Sequence, residues 1–277
     1  MLNERLTRQL GSEPIAKHSL SGGITPVYRV TLADGRQVVV KQGHGLDIEG
    51  FMLSFLAEHS SLPVPAVIFS DADLLVMEYI ACSGRLTVRG QLDAAEHIAA
   101  LHRITGPQFG LHRDTLIGGL PQPNPFTVTW IDFFREQRLL YMAREAAQSG
   151  RLPASFLQRV DRLAAQLDHR LDEPEKPALL HGDLWAGNIL SDGDRIAAFI
   201  DPAIYYGHPE IELAFITLFN AFDAPFFRRY AELRPIADGF FEERRDLYNL
   251  YPLLVHVRLF GGGYVGAVER ILRRFGC

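Results

Sequence analysis

Residues 178–203, ALLHGDLWAGNILSDGDRIAAFIDPA, gather the side chains best suited to chemistry. His181 and Asp183 lie two apart, Asn188 follows five residues after Asp183, and an apolar run ends at Asp201, 18 residues after Asp183. A carboxylate held in a turn can accept or orient the proton of an attacking hydroxyl, the role this spacing gives Asp183. The Asn188 amide oxygen and the Asp201 carboxylate are hard donors of the kind that hold Mg²⁺ against phosphate oxygens. Together they are what phosphoryl transfer from ATP requires. Asp, Gly and Asn are also ordinary turn residues. His181, the two apolar flanks and Ile200 before Asp201 favour the chemical reading over a chance turn.

The spacing H-x-D-x-x-x-x-N, with a later Asp ending a strand, matches the catalytic and metal loops of protein kinases. Such chemistry needs a strand lysine on the phosphates and a helix glutamate to orient it. QVVVK (37–41) ends in Lys41, and Glu49 lies early in the helical pattern that follows. Ser21-Gly22-Gly23-Ile24-Thr25 is a loop between strands in which Gly22 and Gly23 can lie over the phosphates; a plain turn is the competing account. Glu78-Tyr79-Ile80 closes a strand run where the two parts of the chain meet, in position to offer its backbone to an adenine edge.

The elements that must carry these residues follow from hydrophobic period. VYRVTL (27–32) and QVVVK flank Asp34-Gly35, a hairpin signal. Ile48, Phe51, Met52 and Phe55 give residues 47–59 a helical stripe, with Asp47 as the expected cap. AVIFS and LLVMEYI read as a second hairpin, so the first eighty residues predict β-β-α-β-β. Beyond Gly84 the spacing predicts long helices over 91–104, 130–147, 155–171 (capped by Ser155), about 210–222 and about 250–274. Residues 106–126 read as a loop. Gly261-Gly262-Gly263 has neither a preceding strand nor a following Lys-Ser, so a joint or close helix packing suits it better than a phosphate cradle. His97 and His102, five apart on one helix, do not share a metal-binding face. The fold class expected is α+β and bilobal: a nucleotide-binding lobe over residues 1–80 and a mainly helical lobe over 81–277.

Composition narrows the function without naming it. The 277 residues are 47% hydrophobic and 22% charged, an ordinary globular balance. A net charge of −5 argues against a protein that coats nucleic acid or an anionic membrane. Cys82 and Cys277 form neither a disulfide framework nor a zinc spacing, which fits a reducing cytoplasm. The run PLLVHVRLFGGGYVGAV is broken by His256, Arg258 and three glycines, too interrupted to span a bilayer.

With these residues assembled, nearly the whole chain resembles the fructosamine kinase, or ketosamine 3-kinase, family. The resemblance is carried by LLHGDLWAGN (179–188), IDPAIYYGHPEIELA (200–214), the stretch from Phe109-Gly110 to IGGLPQPN (117–124), and LFGGGYVGAVERIL (259–272). It implies a protein-kinase-like fold that uses ATP and Mg²⁺ to phosphorylate the 3-hydroxyl of a ketosamine, free or protein-bound. Such 3-phosphates decompose and release the amine, so the activity would reverse glycation. Asp183 would be the proton acceptor, Glu78 to Ile80 the hinge, and Trp185, Tyr205, Tyr206 and His208 the surroundings of the sugar and amine. Packing in the helical lobe is the competing account for the two tyrosines. Two departures stand out. Pro26 ends the glycine loop without an N–H to give a phosphate, and the family's Glu-x-Asp-Leu is here Glu210-Ile211-Glu212-Leu213. Two other readings compete: a kinase for another small hydroxyl compound, such as an aminoglycoside or choline, and a non-catalytic nucleotide-binding scaffold. A scaffold has no need of Asp183.

Overall fold

In the computed structural model, which describes residues 2–20 and 25–277, the chain opens with two elements that hydrophobic period does not predict. α1 (Leu2–Leu10) turns Leu6 and Leu10 inward. β1 (Pro14–Leu20) is an edge strand with Ile15 64% exposed. Two buried leucines, each contributing about 1.5–3 kcal/mol, hold a nine-residue helix that would not persist alone. Gly22 and Gly23, the expected phosphate-covering residues, lie outside the described residues.

β2 (Val27–Leu32), β3 (Gln37–Gln42), β4 (Val67–Asp71) and β5 (Leu74–Glu78) complete an antiparallel sheet of order β1-β2-β3-β5-β4. Strand alternation divides β3 between two faces. Val38 and Val40 pack under α1 with Val30, Leu32, Leu74 and Val76. Val39 packs on the opposite face with Leu46 and Leu53 of α2 (Leu46–His59), and Lys41 shares its parity. Period two therefore delivers the lysine to the helix that bears Glu49. α2 starts from Gly45 in the left-handed region (φ 73°), not from an Asp47 cap. The Asp47 carboxylate instead accepts a hydrogen bond from Arg113 Nη2 at 2.7 Å.

A short strand, β6 (Arg85–Leu86), leads to α3 (Val88–Leu101), three residues earlier than expected because the Thr87 hydroxyl caps it through Gly90 N. Residues 106–126 contain a hairpin, β7 (Thr115–Ile117) and β8 (Leu120–Gln122), where the sequence suggests only loop. The expected helix at 130–147 is continuous but not uniform. α4 (Trp130–Phe133) and α5 (Tyr141–Gln148) flank a π-helical turn over Phe134–Leu140, which carries the fully buried Arg138. Arg138 donates to Pro123 O at 2.7 Å and Asn124 Oδ1 at 2.6 Å, with the Tyr205 ring 4.0 Å away. α6 (Ser155–Ala164) lacks a side-chain cap and stops well short of residue 171: the Ala164 carbonyl accepts from Arg135 Nε at 3.1 Å, and a 3₁₀ turn over Leu167–His169 follows.

Two small sheets then set the loops that matter. β9 (Ala178–Leu180) pairs with β12 (Tyr205–Gly207), and β10 (Ile189–Gly193) pairs with β11 (Ile196–Phe199). α7 (Pro209–Leu218) and α8 (Ala224–Leu233) follow, α8 being unforeseen from the sequence. The last predicted helix is two: α9 (Arg245–Phe260) and α10 (Gly263–Arg274), separated where Gly261 and Gly262 take φ of 64° and 59°. Those values favour glycine, so the break is written in the sequence. Met52, Phe55 and Leu56 on α2 join the main core of the helical region and tie it to the sheet.

Candidate active site

Asp183 sits in the loop between β9 and β10, Asn188 directly before β10, and Asp201 two residues after β11. The β10–β11 hairpin thus holds Asn188 and Asp201 at its two open ends, where Ile200 N donates to Asn188 O at 3.0 Å. Asn188 Nδ2 donates to both the backbone oxygen and Oδ2 of Asp183, each at 2.9 Å. From the sheet, Lys41 Nζ reaches Glu49 Oε1 at 2.6 Å and pairs with Asp201 Oδ1. Residues 41, 49 and 201 therefore meet, across a sequence separation of up to 160.

Burial opposes the charge of Lys41, but the carboxylates of Asp201 and Glu49 outweigh it and hold the lysine pKa above its ordinary value. Glu49 is shifted upward by burial, against the pull of Lys41. Asp183 is pushed up to about 7, chiefly by burial and further by Asp201 and Glu212, although the Asn188 hydrogen bond works the other way. A carboxylate near 7 is poised to take a proton at neutral pH. His181 is fully buried, and burial lowers its pKa to about 4. Its Nδ1 accepts from Asp183 N at 3.3 Å, so the neutral ring braces the loop.

Sequence reasoning marked Glu212 only as a departure from the family pattern and missed that it supports this loop. Glu212 Oε1 accepts from Gly182 N at 2.6 Å, and its Oε2 faces His102 Nε2 at 2.8 Å. His102 Nδ1 in turn meets the Tyr230 hydroxyl at 2.7 Å. His102 and Glu212 are 110 residues apart and both inaccessible, so no local spacing announces the pair. Gly182 has φ 87°, and a Cβ there would lie 2.1 Å from Ala203 O.

Glu78 ends β5, its backbone N donating to Ala66 O at 2.9 Å. Tyr79 and Ile80 follow it, with the Tyr79 ring 5.3 Å from the Arg29 guanidinium. The four residues expected around the sugar do not converge. Trp185 is 43% exposed beside Asp183, its indole lying over Gly187. Tyr205 is core, 2% exposed between Arg138 and Phe133. Tyr206 lays its ring against Gly106 and turns an edge to Phe55. His208 caps α7, its Nδ1 accepting from Glu210 N at 3.1 Å, with Trp130 and Tyr248 beside it. Tyr205, Tyr206 and His208 are thus engaged with protein neighbours, as the packing account of the tyrosines expects, while Trp185 is exposed.

The donors suit Mg²⁺. With its amide nitrogen on Asp183, Asn188 has Oδ1 as a hard ligand atom, and the Asp201 side chain is 36% exposed. Two such oxygens with phosphate and water satisfy a small octahedral cation, which takes few protein ligands.

The fructosamine kinase family matches residues 3–275. A protein of Synechocystis described as "Probable ketoamine kinase" is 36% identical over 93% of this chain and 89% of its own length. A crystal structure from Thermobifida fusca described as "putative fructosamine-3-kinase" superimposes with a TM-score of 0.86, at 35% identity over 98% of this chain and 97% of that one. A thermostable aminoglycoside phosphotransferase variant, solved with ADP and hygromycin B, shares the fold with a TM-score of 0.70 at 19% identity, covering 98% of each chain.

Proposed function

The chain belongs to the fructosamine kinase family, and from that premise we propose that it transfers the γ-phosphoryl group of ATP to the 3-hydroxyl of a ketosamine. The observation that carries this reading is the convergence of Lys41, Glu49 and Asp201 beside a loop in which Asn188 orients Asp183. Residues 1–80 act as the nucleotide lobe and 81–277 carry the transfer loop and the acceptor. Lys41, aligned by Glu49, holds the phosphates; the backbone from Glu78 to Ile80 takes the adenine; Gly22 and Gly23 cover the phosphates. Asn188 and Asp201 hold Mg²⁺, which supplies charge neutralisation along the phosphates when bound. Asp183 accepts the proton of the attacking sugar hydroxyl. Of the four residues considered for the acceptor, Trp185 is exposed and lies two positions from Asp183, so it packs against the C–H face of the polyol.

The sugar phosphate so formed releases its amine, which makes the reaction a deglycation. The acceptor is a free or protein-bound ketosamine, and the cytoplasm is the compartment we assign. Among the described residues no helix is long and apolar enough to cross a membrane. The test is incubation with ATP, Mg²⁺ and a panel of ribulose- and fructose-lysines, following ADP release and locating the new phosphate by NMR. ADP release with a ketosamine and a 3-phosphate signal supports the reading. No release above background with any ketosamine overturns the substrate; turnover of an aminoglycoside or choline in its place selects the other acceptor class.

A further inference from the structure

Residues 110–124, a loop by their sequence, are a built part of the molecule. At their inner end Thr115, Gln122 and Asn124 are each 1% exposed. Gln122 Nε2 donates to Ala203 O at 3.0 Å and to Thr115 Oγ1 at 2.8 Å, while its Oε1 accepts from the Tyr251 hydroxyl at 2.7 Å. Thr115 Oγ1 donates to Ile204 O at 3.3 Å. Gly110 and Tyr206 exchange backbone hydrogen bonds, both 2.9 Å. This end is therefore fastened to residues 203–206, the chain that directly follows Asp201.

The outer end touches a different element. Arg113 pairs with Asp47 in the first turn of α2, and its guanidinium lies 5.0 Å from the Phe51 ring. His112 meets Phe51 edge-on at 5.5 Å. Leu116 packs so tightly on Gly45 that an added Cβ would fall 2.6 Å from its Cδ1. Asp47 and Glu49 share that first helical turn. One segment thus grips both elements whose carboxylates meet at Lys41.

We propose that residues 110–124 form a coupler that sets Glu49 and Asp201 relative to each other, with Arg113 and Leu116 as positioning residues acting through α2. The coupler gives α2 a fixed stop. A turn of helix pinned at Asp47 cannot swing Glu49 away from Lys41 without dragging the segment that also holds residues 203–206. The proposal rests on the assignment of Lys41, Glu49 and Asp201 to the nucleotide, not on the identity of the acceptor.

The test uses the full chain and three variants: Arg113→Glu, which sets two carboxylates face to face, Asp47→Arg, and the doubly exchanged pair. Arg113 and Asp47 are both exposed in good part, so the variants fold. Hydrogen exchange followed by mass spectrometry reads α2 and residues 200–206. Calorimetric titration with a non-hydrolysable ATP analogue and Mg²⁺ reads the nucleotide site without any acceptor. Arg113→Glu is expected to speed exchange in both regions together and to weaken the analogue by about fivefold or more. The exchanged pair restores both, and KM for the acceptor stays unchanged while KM for ATP rises. Faster exchange in α2 with residues 200–206 unaffected overturns the coupling, as does an unchanged nucleotide affinity. A chain that never binds the analogue refutes the nucleotide assignment, and exchange in the two regions then still decides whether they are coupled.

Discussion

The imidazole of His208 must be neutral to do what it does, because Nδ1 accepts the Glu210 amide hydrogen at the start of α7. Burial, together with Arg244, Arg234 and His102, lowers its pKa to about 3, against 6.5 for a free histidine. The folded state therefore binds fewer protons than the unfolded chain through that interval. The stabilisation is complete above pH 6.5 and is lost as pH falls below it, at a limiting rate of about 1.4 kcal/mol per pH unit. Thermal midpoints measured from pH 7 to 5 should fall, and His208→Asn, which keeps a capping side chain without a titrating ring, should show a shallower fall. An equal slope in the variant would place the acid sensitivity elsewhere. At the transfer loop, Asp183→Asn should lower kcat by about 10²–10⁴-fold while leaving binding of the ATP analogue in place. Residues 41, 49, 183, 188 and 201 are legible in the sequence because a short local pattern of residue types and spacing marks each of them. Glu212 and His102 are not, since each takes its meaning from a partner 110 positions away.

Elements explain what residues alone do not. The transfer loop is pinned at three backbone points: Gly182 N to Glu212, Asp183 N to His181, and His181 O to Ala203 N at 2.7 Å. Gly182→Ala would bring a side chain against the Ala203 carbonyl at a φ of 87°. The expected result is a loss of about 1–3 kcal/mol in stability and a fall in kcat of about 10²-fold, since small misplacements of a reacting group are costly. Unfolding curves and single-turnover rates check the two separately; a variant with wild-type kcat would show that the loop tolerates displacement. Sequence period recovers β2, β3, α2, β4 and β5 because apolar residues alternate or recur there with few interruptions. It passes over α1 and β1, whose outer faces are polar, and over the β7–β8 hairpin, whose Gly118-Gly119 turn lies within a proline-rich stretch. It merges α9 with α10 because hydrophobic spacing runs on across Gly261-Gly262, although the glycines themselves mark the joint.

For the molecule as a whole, the proposed nucleotide would touch both the sheet and the helical region. Their joint contacts at Lys41 mean that nucleotide binding should stabilise the whole chain rather than one part. At 100 times its Kd a ligand adds about 2.7 kcal/mol. For a chain of this size that raises the melting midpoint by about 5 °C. Calorimetric scans with the ATP analogue and Mg²⁺ measure it, and a midpoint that does not move would mean that the nucleotide site is not formed. Asp201→Asn should remove most of the Mg²⁺ dependence of that shift. The α+β architecture is legible from the change of texture near residue 84, where alternating strands give way to helical stripes. What fastens the two regions is not, because Arg113 and Gln122 lie in a stretch that sequence alone describes as connection, and nothing in the helical pattern around Arg138 says that it reaches back to Asn124.

Arg138 has one more consequence. Among the described residues no carboxylate pairs with it; three carbonyl oxygens and the faces of Phe133, Tyr205 and Tyr251 balance its charge. None of those partners carries a charge that mild acid removes. The anchorage around Asn124 is therefore indifferent to acid, whereas the cap at His208 is not. As pH falls, the loop braced by His181 and the cap at His208, which depend on neutral rings, should loosen before the knot around Arg138 does.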